Sequence, residues 1–527
     1  MSAEQAVNNS TKDYVLSIDN GTQSVRVMLF DAAGHLHGLS RIEIEPYVST
    51  QPGWAEQEAD YYWQAVGQAC QQLWQQVSID KTQIKGVSVT TQRGTVVHVD
   101  QQGQALRPAM VWLDQRLADV NTPLPNPWRS LFKLVGAASI VDYFRGQAEI
   151  NWVAQHQPEI HAHTHKVLLL SGYLNYQLSG RFVDSVASCV GYLPFDYKKL
   201  RWAAKADWKW HALAVRREQL PELITPGELL GHVHAAASLH TGLPEGLPII
   251  AAAADKACEV LGAGAVDESI ACLSYGTTAT INTTRSKYLE VTRLIPAYPA
   301  AIPQHFTTEV MIYRGFWMVS WFKREFGLRE QQRAERLGVS VESLFEELIE
   351  QVPAGSMGLM LQPYWSPGVR EPGLDAKGAI IGFGDVHTRA HIYRAILEGL
   401  AYGLRQGKEQ IEKRSGVPIQ RLRVSGGGSQ SDAILQITAD IFGLPVERPH
   451  TIETSGLGAA IACMVGVGLQ PDFTSAVQSM TRTAQVFLPN QHNHALYNKL
   501  YAEVYCKMYK RLQPLYQSIR RITGYPQ

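Results

Sequence analysis

Tyr14-Val-Leu-Ser-Ile-Asp19 runs into Asn20-Gly-Thr-Gln-Ser24 and then into Val25-Arg-Val-Met-Leu-Phe30. Apolar and β-branched residues on both sides of a Gly-Thr turn predict a β-hairpin with a buried face. The pattern returns in Ser269-Ile-Ala-Cys-Leu-Ser274, Tyr275-Gly-Thr-Thr278 and Ala279-Thr-Ile-Asn282. Two similar hairpins far apart in one chain predict two related domains, which we place at residues 1–265 and 266–527.

The composition is that of a soluble globular enzyme, with 45% hydrophobic and 18% charged residues in 527. Lys plus Arg and Asp plus Glu are each 48, so the formal net charge is zero. Neutrality predicts no nucleic-acid partner and no polybasic membrane anchor. The six cysteines form no CxxC pair, the N-terminal segment lacks an apolar leader, and no apolar run approaches a membrane span. These features predict a cytoplasmic protein.

The first turn has the residue types of a metal and phosphate site. Gly21 allows a phosphate to approach the backbone, Thr22 and Ser24 offer hydroxyls, and Asp19 could hold Mg²⁺ through water. An ordinary tight turn is the alternative. The second Gly-Thr turn favours the phosphate interpretation, because two facing loops can hold a polyphosphate between domains. The candidate nucleotide-binding residues of this turn are Asp19, Gly21, Thr22, Gln23, Ser24 and Arg26.

A third element is Gly426-Gly-Gly-Ser429, between a strand at 422–425 and a helix that begins near Ser431-Asp432. Glycines leave room for a base or ribose against the backbone, and a helix N-terminus favours a polar or anionic group. A flexible turn is the alternative.

Asp255 follows the apolar run Ile249-Ile-Ala-Ala-Ala-Ala254 and begins a stretch with helical spacing. Its carboxylate could accept a hydroxyl proton in phosphoryl transfer, or it could be a helix N-cap. Gln92-Arg93 and Trp112-Leu-Asp114-Gln-Arg116 also lie at strand ends, where α/β folds bind ligands. For Asp114 and Arg116 a buried salt bridge is an equal alternative.

Several enzyme classes are excluded by their motifs. The sequence has no GxxxxGK[ST] loop, no HRD and DFG set, no HExxH and no GxSxG.

Taken in order, these elements resemble the FGGY carbohydrate kinases over nearly the whole chain. The most specific match is Gly378-Ala-Ile-Ile-Gly382-Phe followed by His391-Ile-Tyr-Arg-Ala-Ile-Leu-Glu398-Gly. The resemblance implies an α/β protein with two RNase H-like domains, related to the actin-like ATPases, around a nucleotide and substrate cleft. It implies ATP and Mg²⁺ as cofactors, with Asp255 as general base and Asp19 as the metal residue.

The resemblance also implies the other site residues. Gly276 and Thr277 would contact the phosphates, and Gly427, Gly428, Ser429 and Asp432 would lie near the adenosine. Residues expected at the substrate are Gln92, Arg93, Trp112, Tyr143, Asp255 and Lys256.

Three positions depart from the relatives. Gly94 stands where glycerol kinases carry Glu, Lys256 where they carry Gln, and Glu149 where the family usually has Lys. The loss of the carboxylate at position 94 opens space, so we expect a ketopentose such as xylulose or ribulose. Alternatives are glycerol or another polyol, a signalling molecule, a sugar acid, or a nucleotide-switched binding protein. A homodimer is compatible with the sequence.

Overall fold

The computed structural model describes residues 13–366, 368 and 372–525. The N-terminal segment for which the sequence predicts no leader, residues 1–12, lies outside the described residues. The strands of the first half are β1 Tyr14–Asn20, β2 Ser24–Asp31, β3 Leu36–Glu43, β4 Glu56–Gln57, β5 Ile84–Thr91, β6 Val96–Val99, β7 Ala109–Met110, β8 Lys166–Leu169, β9 Val183–Ser185, β10 Phe195–Asp196, β11 Arg201–Trp202, β12 Glu222–Ile224, β13 Leu229–His232 and β14 Pro248–Ile250. Its helices are α1 Ala59–Gln76, α2 Trp128–Leu134, α3 Ala138–Gln147, α4 Glu149–His156, α5 Pro158–His163, α6 Leu170–Ser179, α7 Lys209–Ala212, α8 Ala235–Thr241 and α9 Asp255–Gly262.

The second half has its own set of elements. Its strands are β15 Ile270–Tyr275, β16 Ala279–Arg285, β17 Tyr298–Pro299, β18 Phe306–Ile312, β19 Met360–Gln362, β20 Ala379–Ile381, β21 Arg421–Ser425, β22 Val446–Pro449 and β23 Thr483–Phe487. Its helices are α10 Trp317–Phe326, α11 Leu328–Leu337, α12 Val341–Glu350, α13 Arg389–Ser415, α14 Asp432–Phe442, α15 Thr454–Gly466, α16 Phe473–Met480, α17 Gln491–Leu500 and α18 Cys506–Thr523.

The two main sheets repeat one topology. The first has the order β13-β14-β5-β1-β2-β3, with β1, β2 and β3 antiparallel and with β5 and β14 parallel to β1. The second has the order β17-β18-β16-β15-β21-β22-β23, and β15, β16, β18, β21 and β22 pair in the same way. Each parallel pair also carries an antiparallel edge strand, β13 or β23. This confirms the predicted α/β fold with two RNase H-like units, each started by one predicted hairpin.

The strand before Asp255 is shorter than its apolar run. It ends at Ile250, because the amides of Ala251 and Ala254 donate to the carbonyls of Glu228 and Ala187. Between 106 and 112 the structure has a strand only at Ala109–Met110. A π-helical turn at Tyr501–Tyr505 separates α17 from α18.

Helix α15 from the second half packs against the first sheet, on α9, β1 and β5. The hydroxyl of Ser88 on β5 donates to the carbonyl of Ala459 on α15 at 2.8 Å. The predicted boundary between residues 265 and 266 stays a prediction, because α15 follows it in sequence and yet packs on the first sheet. No helix within the described ranges is both long and apolar enough to traverse a bilayer.

Two glycines allow the close contact between α9 and α15. A Cβ on Gly458 would overlap the carbonyl oxygen of Cys258, and a Cβ on Gly262 would overlap that of Thr454. Since backbone atoms cannot move aside without shifting a whole helix, both positions require glycine.

We therefore expect Gly458→Ala to lower the free energy of unfolding by about 1–3 kcal/mol, because the extra methyl group pushes two buried helices apart. Urea denaturation measures the change. The control is Gly146→Ala in α3, where a Cβ would meet its nearest neighbour at an ordinary 3.7 Å. Equal stability of the two variants would contradict the role of Gly458 in this contact.

Candidate active site

The ends of the central strands of both sheets meet at one cleft of about 1730 Å³. The register pairs Asp19 of β1 with Arg26 of β2 and with Thr90 of β5. In the second sheet it pairs Ser274 of β15 with Ser425 of β21 in the corresponding place. The repeated topology therefore brings the two Gly-Thr turns to opposite walls of the same cleft, and both turns line it.

Asp19 supplies the carboxylate of the first turn and is buried, with 3% of its surface exposed. Arg26 places Nη1 3.4 Å from Asp19 Oδ2 and 2.7 Å from Glu453 Oε2. Burial raises the pKa of Asp19 to about 6, against the opposing charge of Arg26. The carboxylates of Asp255, Glu453 and Glu259 add to the upward shift.

The negative charge around Asp19 shows whether the residues present suit the predicted Mg²⁺. The carboxylate of Asp19 faces one guanidinium and feels three further carboxylates, so a divalent cation would relieve its electrostatic cost. Mg²⁺ keeps several waters and needs few protein ligands. The residues present therefore fit Mg²⁺ held through Asp19.

Asp255 is the first residue of α9, and Ala254 occupies the N-cap position. The helix-cap alternative for Asp255 is therefore wrong. Its Oδ1 accepts the backbone amide of Lys256 at 2.7 Å. Burial raises the pKa of Asp255, and the positive charges of Lys256 and Arg93 oppose the shift.

Lys256 lines the cleft and is bound by side chains of both halves. Its Nζ donates to Glu259 Oε2 at 2.8 Å and to Ser274 Oγ, on the opposite wall, at 2.5 Å. Burial lowers the pKa of Lys256, but the carboxylates of Glu259 and Asp255 make the net shift upward. Lys256 is thus a charged link between the two halves.

Thr22 connects the first turn to the predicted sugar residues. Its hydroxyl donates to Gln92 Oε1 at 3.0 Å and accepts from Trp112 Nε1 at 3.1 Å. Gln92 also donates to the hydroxyl of Tyr62 at 3.4 Å. The side chains of Gln92, Trp112 and Thr22 therefore hold one another in fixed orientations at the cleft wall.

Arg93 reaches across the cleft. Its Nη2 lies 3.2 and 3.1 Å from the two carboxylate oxygens of Glu309 on β18. Its Cζ lies 5.3 Å from the ring centre of Tyr298, which lines the cleft.

On the other wall the Gly-Thr turn and the triple glycine form one surface. The amides of Phe316 and Trp317 donate to the carbonyls of Gly276 and Thr277. The ring of Phe316 stacks on Tyr275 at 4.5 Å, and a Cβ on Gly428 would overlap the Phe316 ring. Gly428 is therefore required for this packing.

The structure brings most of the predicted residues together. Those that line the cleft are Asp19, Gly21, Thr22, Gln23, Arg26, Gln92, Arg93, Trp112, Asp255, Lys256, Gly276, Thr277, Gly427 and Gly428. Ser24, Tyr143, Ser429 and Asp432 are not among the lining residues. The ligand roles of all of these residues stay predictions.

Two of the outlying residues are engaged elsewhere. The hydroxyl of Ser429 donates to the carbonyl of Gly426 at 2.7 Å, and the carboxylate of Asp432 accepts from Arg448 at 2.6 Å.

Asp114 and Arg116 form the buried salt bridge that was one of their two alternatives. Their charged groups lie 2.6 Å apart, and both side chains are buried. The guanidinium of Arg116 lies 4.1 and 4.4 Å from the ring centres of Trp54 and Trp152, outside the cleft lining.

Several residues in the cleft lining or in contact with it carry no sequence signal. Glu309, Glu453 and Ser274 reach the site from distant segments and became visible only through strand pairing and helix packing. Glu259 could have been predicted from the sequence, because it lies one helical turn after Asp255.

Comparison with known proteins decides the family. A family model described as the FGGY family of carbohydrate kinases, N-terminal domain, matches residues 14–262, and the corresponding C-terminal domain model matches residues 271–467. The chain belongs to the FGGY family of carbohydrate kinases. It is thus an enzyme that transfers a phosphoryl group to an alcohol group.

Relatives of this FGGY kinase match along its length. An uncharacterized sugar kinase, YgcE, of Escherichia coli is 30% identical over 93% of this chain and 92% of its own. A xylulose kinase of Lactococcus lactis is 28% identical over 94% and 96% of the two chains. The crystal structure of a xylulose kinase from Rhodospirillum rubrum shares the fold, with a TM-score of 0.78 and 23% identity over 96% and 100% of the chains.

The raised pKa of Asp19 makes a prediction about stability. Its pKa of about 6 in the folded kinase lies above the ordinary aspartate range near 4 that applies to the unfolded chain. The folded state therefore binds this proton more tightly, and the benefit is lost as the pH rises through 6. We expect Asp19→Asn to stabilise the metal-free protein on the order of 1–3 kcal/mol at pH 7.5.

The pH dependence provides the control for this prediction. The stability difference between Asp19→Asn and wild type should shrink as the pH falls below 6, because wild-type Asp19 is then protonated as well. Thermal melts of both proteins from pH 5 to 8 without metal measure this. A difference that stays constant with pH would contradict the electrostatic explanation.

Proposed function

We propose that this kinase phosphorylates a neutral ketopentose such as xylulose or ribulose, with ATP as phosphoryl donor, Mg²⁺ as cofactor and Asp255 as general base. The observation that carries the proposal is the pairing of the two cationic side chains beside Asp255. Arg93 and Lys256 are each paired with a carboxylate of the protein, Glu309 and Glu259. The base therefore lies in a polar pocket whose cations already have partners.

The nucleotide side is assigned to the surface formed by Gly276, Thr277, Gly427 and Gly428. Gly276 and Gly427 leave the backbone open, so amide groups could donate to phosphate oxygens. Mg²⁺ would be held by Asp19, and when bound it would offset the charge of the phosphates. Arg26 and Lys256 add positive charge to the lining of the same cleft.

Asp255 is suited to accept a proton from a sugar hydroxyl. Burial raises the pKa of its carboxyl group, so the carboxylate is a stronger base than an exposed aspartate. Lys256 and Arg93 limit the shift, so the group remains able to ionise. A hydroxyl that donates to Asp255 would be oriented toward the nucleotide on the opposite wall.

The pairing of the cations favours a neutral substrate over a sugar acid. A substrate carboxylate would need a free cation, and the ammonium of Lys256 is already bound to Glu259 and Ser274. Bringing a further negative charge among Asp19, Asp255 and Glu259 would also be unfavourable.

The size of the pocket favours a ketopentose over glycerol. Gly94 has a φ of 65°, and a Cβ there would lie 3.5 Å from Trp112 Cβ, so a side chain at this position would fill space beside Trp112. Its absence leaves room for a substrate longer than three carbons.

We expect Asp255→Asn to reduce kcat by about 10²- to 10⁴-fold, because the amide cannot accept the proton. Asp267→Asn, an exposed aspartate beside the second hairpin, serves as the control and should leave kcat unchanged. A coupled assay of ADP release measures both. Undiminished turnover by a folded Asp255→Asn variant would refute its role as base.

The substrate class is tested with a panel of xylulose, ribulose, glycerol and gluconate. We expect the highest kcat/KM with a neutral ketopentose. The double variant Lys256→Met with Glu259→Gln removes the ion pair without leaving an unpaired buried carboxylate. It should lower kcat for all substrates while preserving their order. A selective loss of gluconate turnover would instead identify Lys256 as a carboxylate-binding residue.

A further inference from the structure

The ion pair between Arg93 and Glu309 joins the two walls of the cleft at the predicted sugar site. Arg93 follows β5 of the first sheet, and Glu309 lies on β18 of the second sheet opposite Asn282. The side chains are only 16% and 6% exposed. Arg93 from the first half and Glu309 from the second half can therefore pair only when the two halves are together.

The surroundings keep Arg93 charged and oriented. Burial lowers the pKa of Arg93, but Glu309 and Asp255 make the net shift upward, so the guanidinium stays protonated. The ring of Tyr298 lies beside the guanidinium, and Tyr298 and Tyr313 both experience the charges of the pair. Each of these tyrosines lines the cleft.

Arg93 retains unused donors toward the cleft. Among the described residues, its Nη2 is the only nitrogen of this side chain with a hydrogen-bond acceptor. Nε and Nη1 are therefore available to sugar hydroxyls. An arginine side chain has several rotatable bonds, and holding Nη2 on a carboxylate fixes the direction of the remaining donors.

A gain in folding stability is a weak explanation for the buried ion pair between Arg93 and Glu309. Desolvation of two buried charges often cancels their attraction, so buried ion pairs contribute little net free energy. A pair that forms between separate halves of a cleft can instead determine when a binding site is complete.

We propose that Glu309 is a positioning residue for sugar recognition, which fixes Arg93 from the opposite domain so that the sugar pocket is complete only in the closed cleft. The inference rests on the proposed function for the identity of the sugar. Gly94 leaves no acidic side chain next to Arg93 in sequence, and Glu309 supplies a carboxylate to Arg93 from the other wall.

A double-mutant cycle with D-xylulose as the probe tests the proposal. Glu309→Gln should raise KM about 10- to 100-fold with a smaller change in kcat, since a charge-assisted hydrogen bond to Arg93 is lost. In an Arg93→Met background the same substitution should change KM less than about twofold, because Glu309 acts through Arg93. An equal effect in both backgrounds, or an unchanged KM in Glu309→Gln, would overturn the proposal.

A charge swap separates positioning from a merely structural pair. Arg93→Glu with Glu309→Arg keeps an ion pair between the halves but moves the guanidinium to the wrong wall. We expect the melting temperature of this variant to equal that of wild type. Its KM for D-xylulose should stay as high as that of Glu309→Gln. Recovery of the wild-type KM would show that only the pairing matters and would overturn the positioning role.

Glu268→Gln is the matched control for both experiments. Glu268 pairs with Arg285 at 2.9 Å in the same half, outside the cleft lining. Its KM for D-xylulose should equal that of wild type.

A sugar-free measurement distinguishes failure of this proposal from failure of the proposed function. Small-angle X-ray scattering of the unliganded protein should give a larger radius of gyration for Glu309→Gln and for Arg93→Met than for wild type and Glu268→Gln. If D-xylulose is not phosphorylated but the radius changes, the substrate assignment fails and the interdomain contact stands. If the radius is unchanged in both variants, the contact does not hold the cleft closed and the proposal fails.

Discussion

The site depends on burying carboxylates where two sheets face each other. Asp19 lies near the end of β1 and Asp255 at the start of α9, and both line one cleft. Burial raises the pKa of each carboxyl group. Arg26, Lys256 and Arg93 offset this charge, and each reaches a partner in the other half: Glu453, Ser274 and Glu309. The charged residues of the proposed catalytic site therefore also connect the two halves.

This arrangement links substrate binding to the geometry of the cleft. A separation of the two sheets would break the contacts of Lys256 with Ser274 and of Arg93 with Glu309, and it would expose the buried carboxylates to water. Helix α15 resists such movement on one side, since Gly458 and Gly262 allow it to pack closely against α9 directly behind Asp255. The contacts of Lys256 with Ser274 and of Arg93 with Glu309 are made by long polar side chains. Such contacts can break and form again more easily than packed helices can separate. A cleft built in this way can open for substrates and exclude water when it closes.

Much of the fold and part of the site could be predicted from sequence, because they depend on local patterns. The two hairpins, Asp255 at the start of a helix and the triple glycine all follow from short stretches of chain. The cap position of Asp255, the orientation of Lys256 and the engagement of Asp432 with Arg448 could not, because they depend on contacts with distant segments. Glu309 was missed for the same reason: strand pairing across the second sheet places it opposite Arg93, and no local motif marks it.

The most direct test of the account is a crystal structure with D-xylulose, Mg²⁺ and a non-hydrolysable ATP analogue. We predict that one sugar hydroxyl lies within hydrogen-bonding distance of Asp255, roughly 2.6–3.2 Å, and faces the terminal phosphate across the cleft. A bound sugar whose hydroxyls all lie beyond the reach of Asp255, or whose nearest base is another residue, would contradict the central claim.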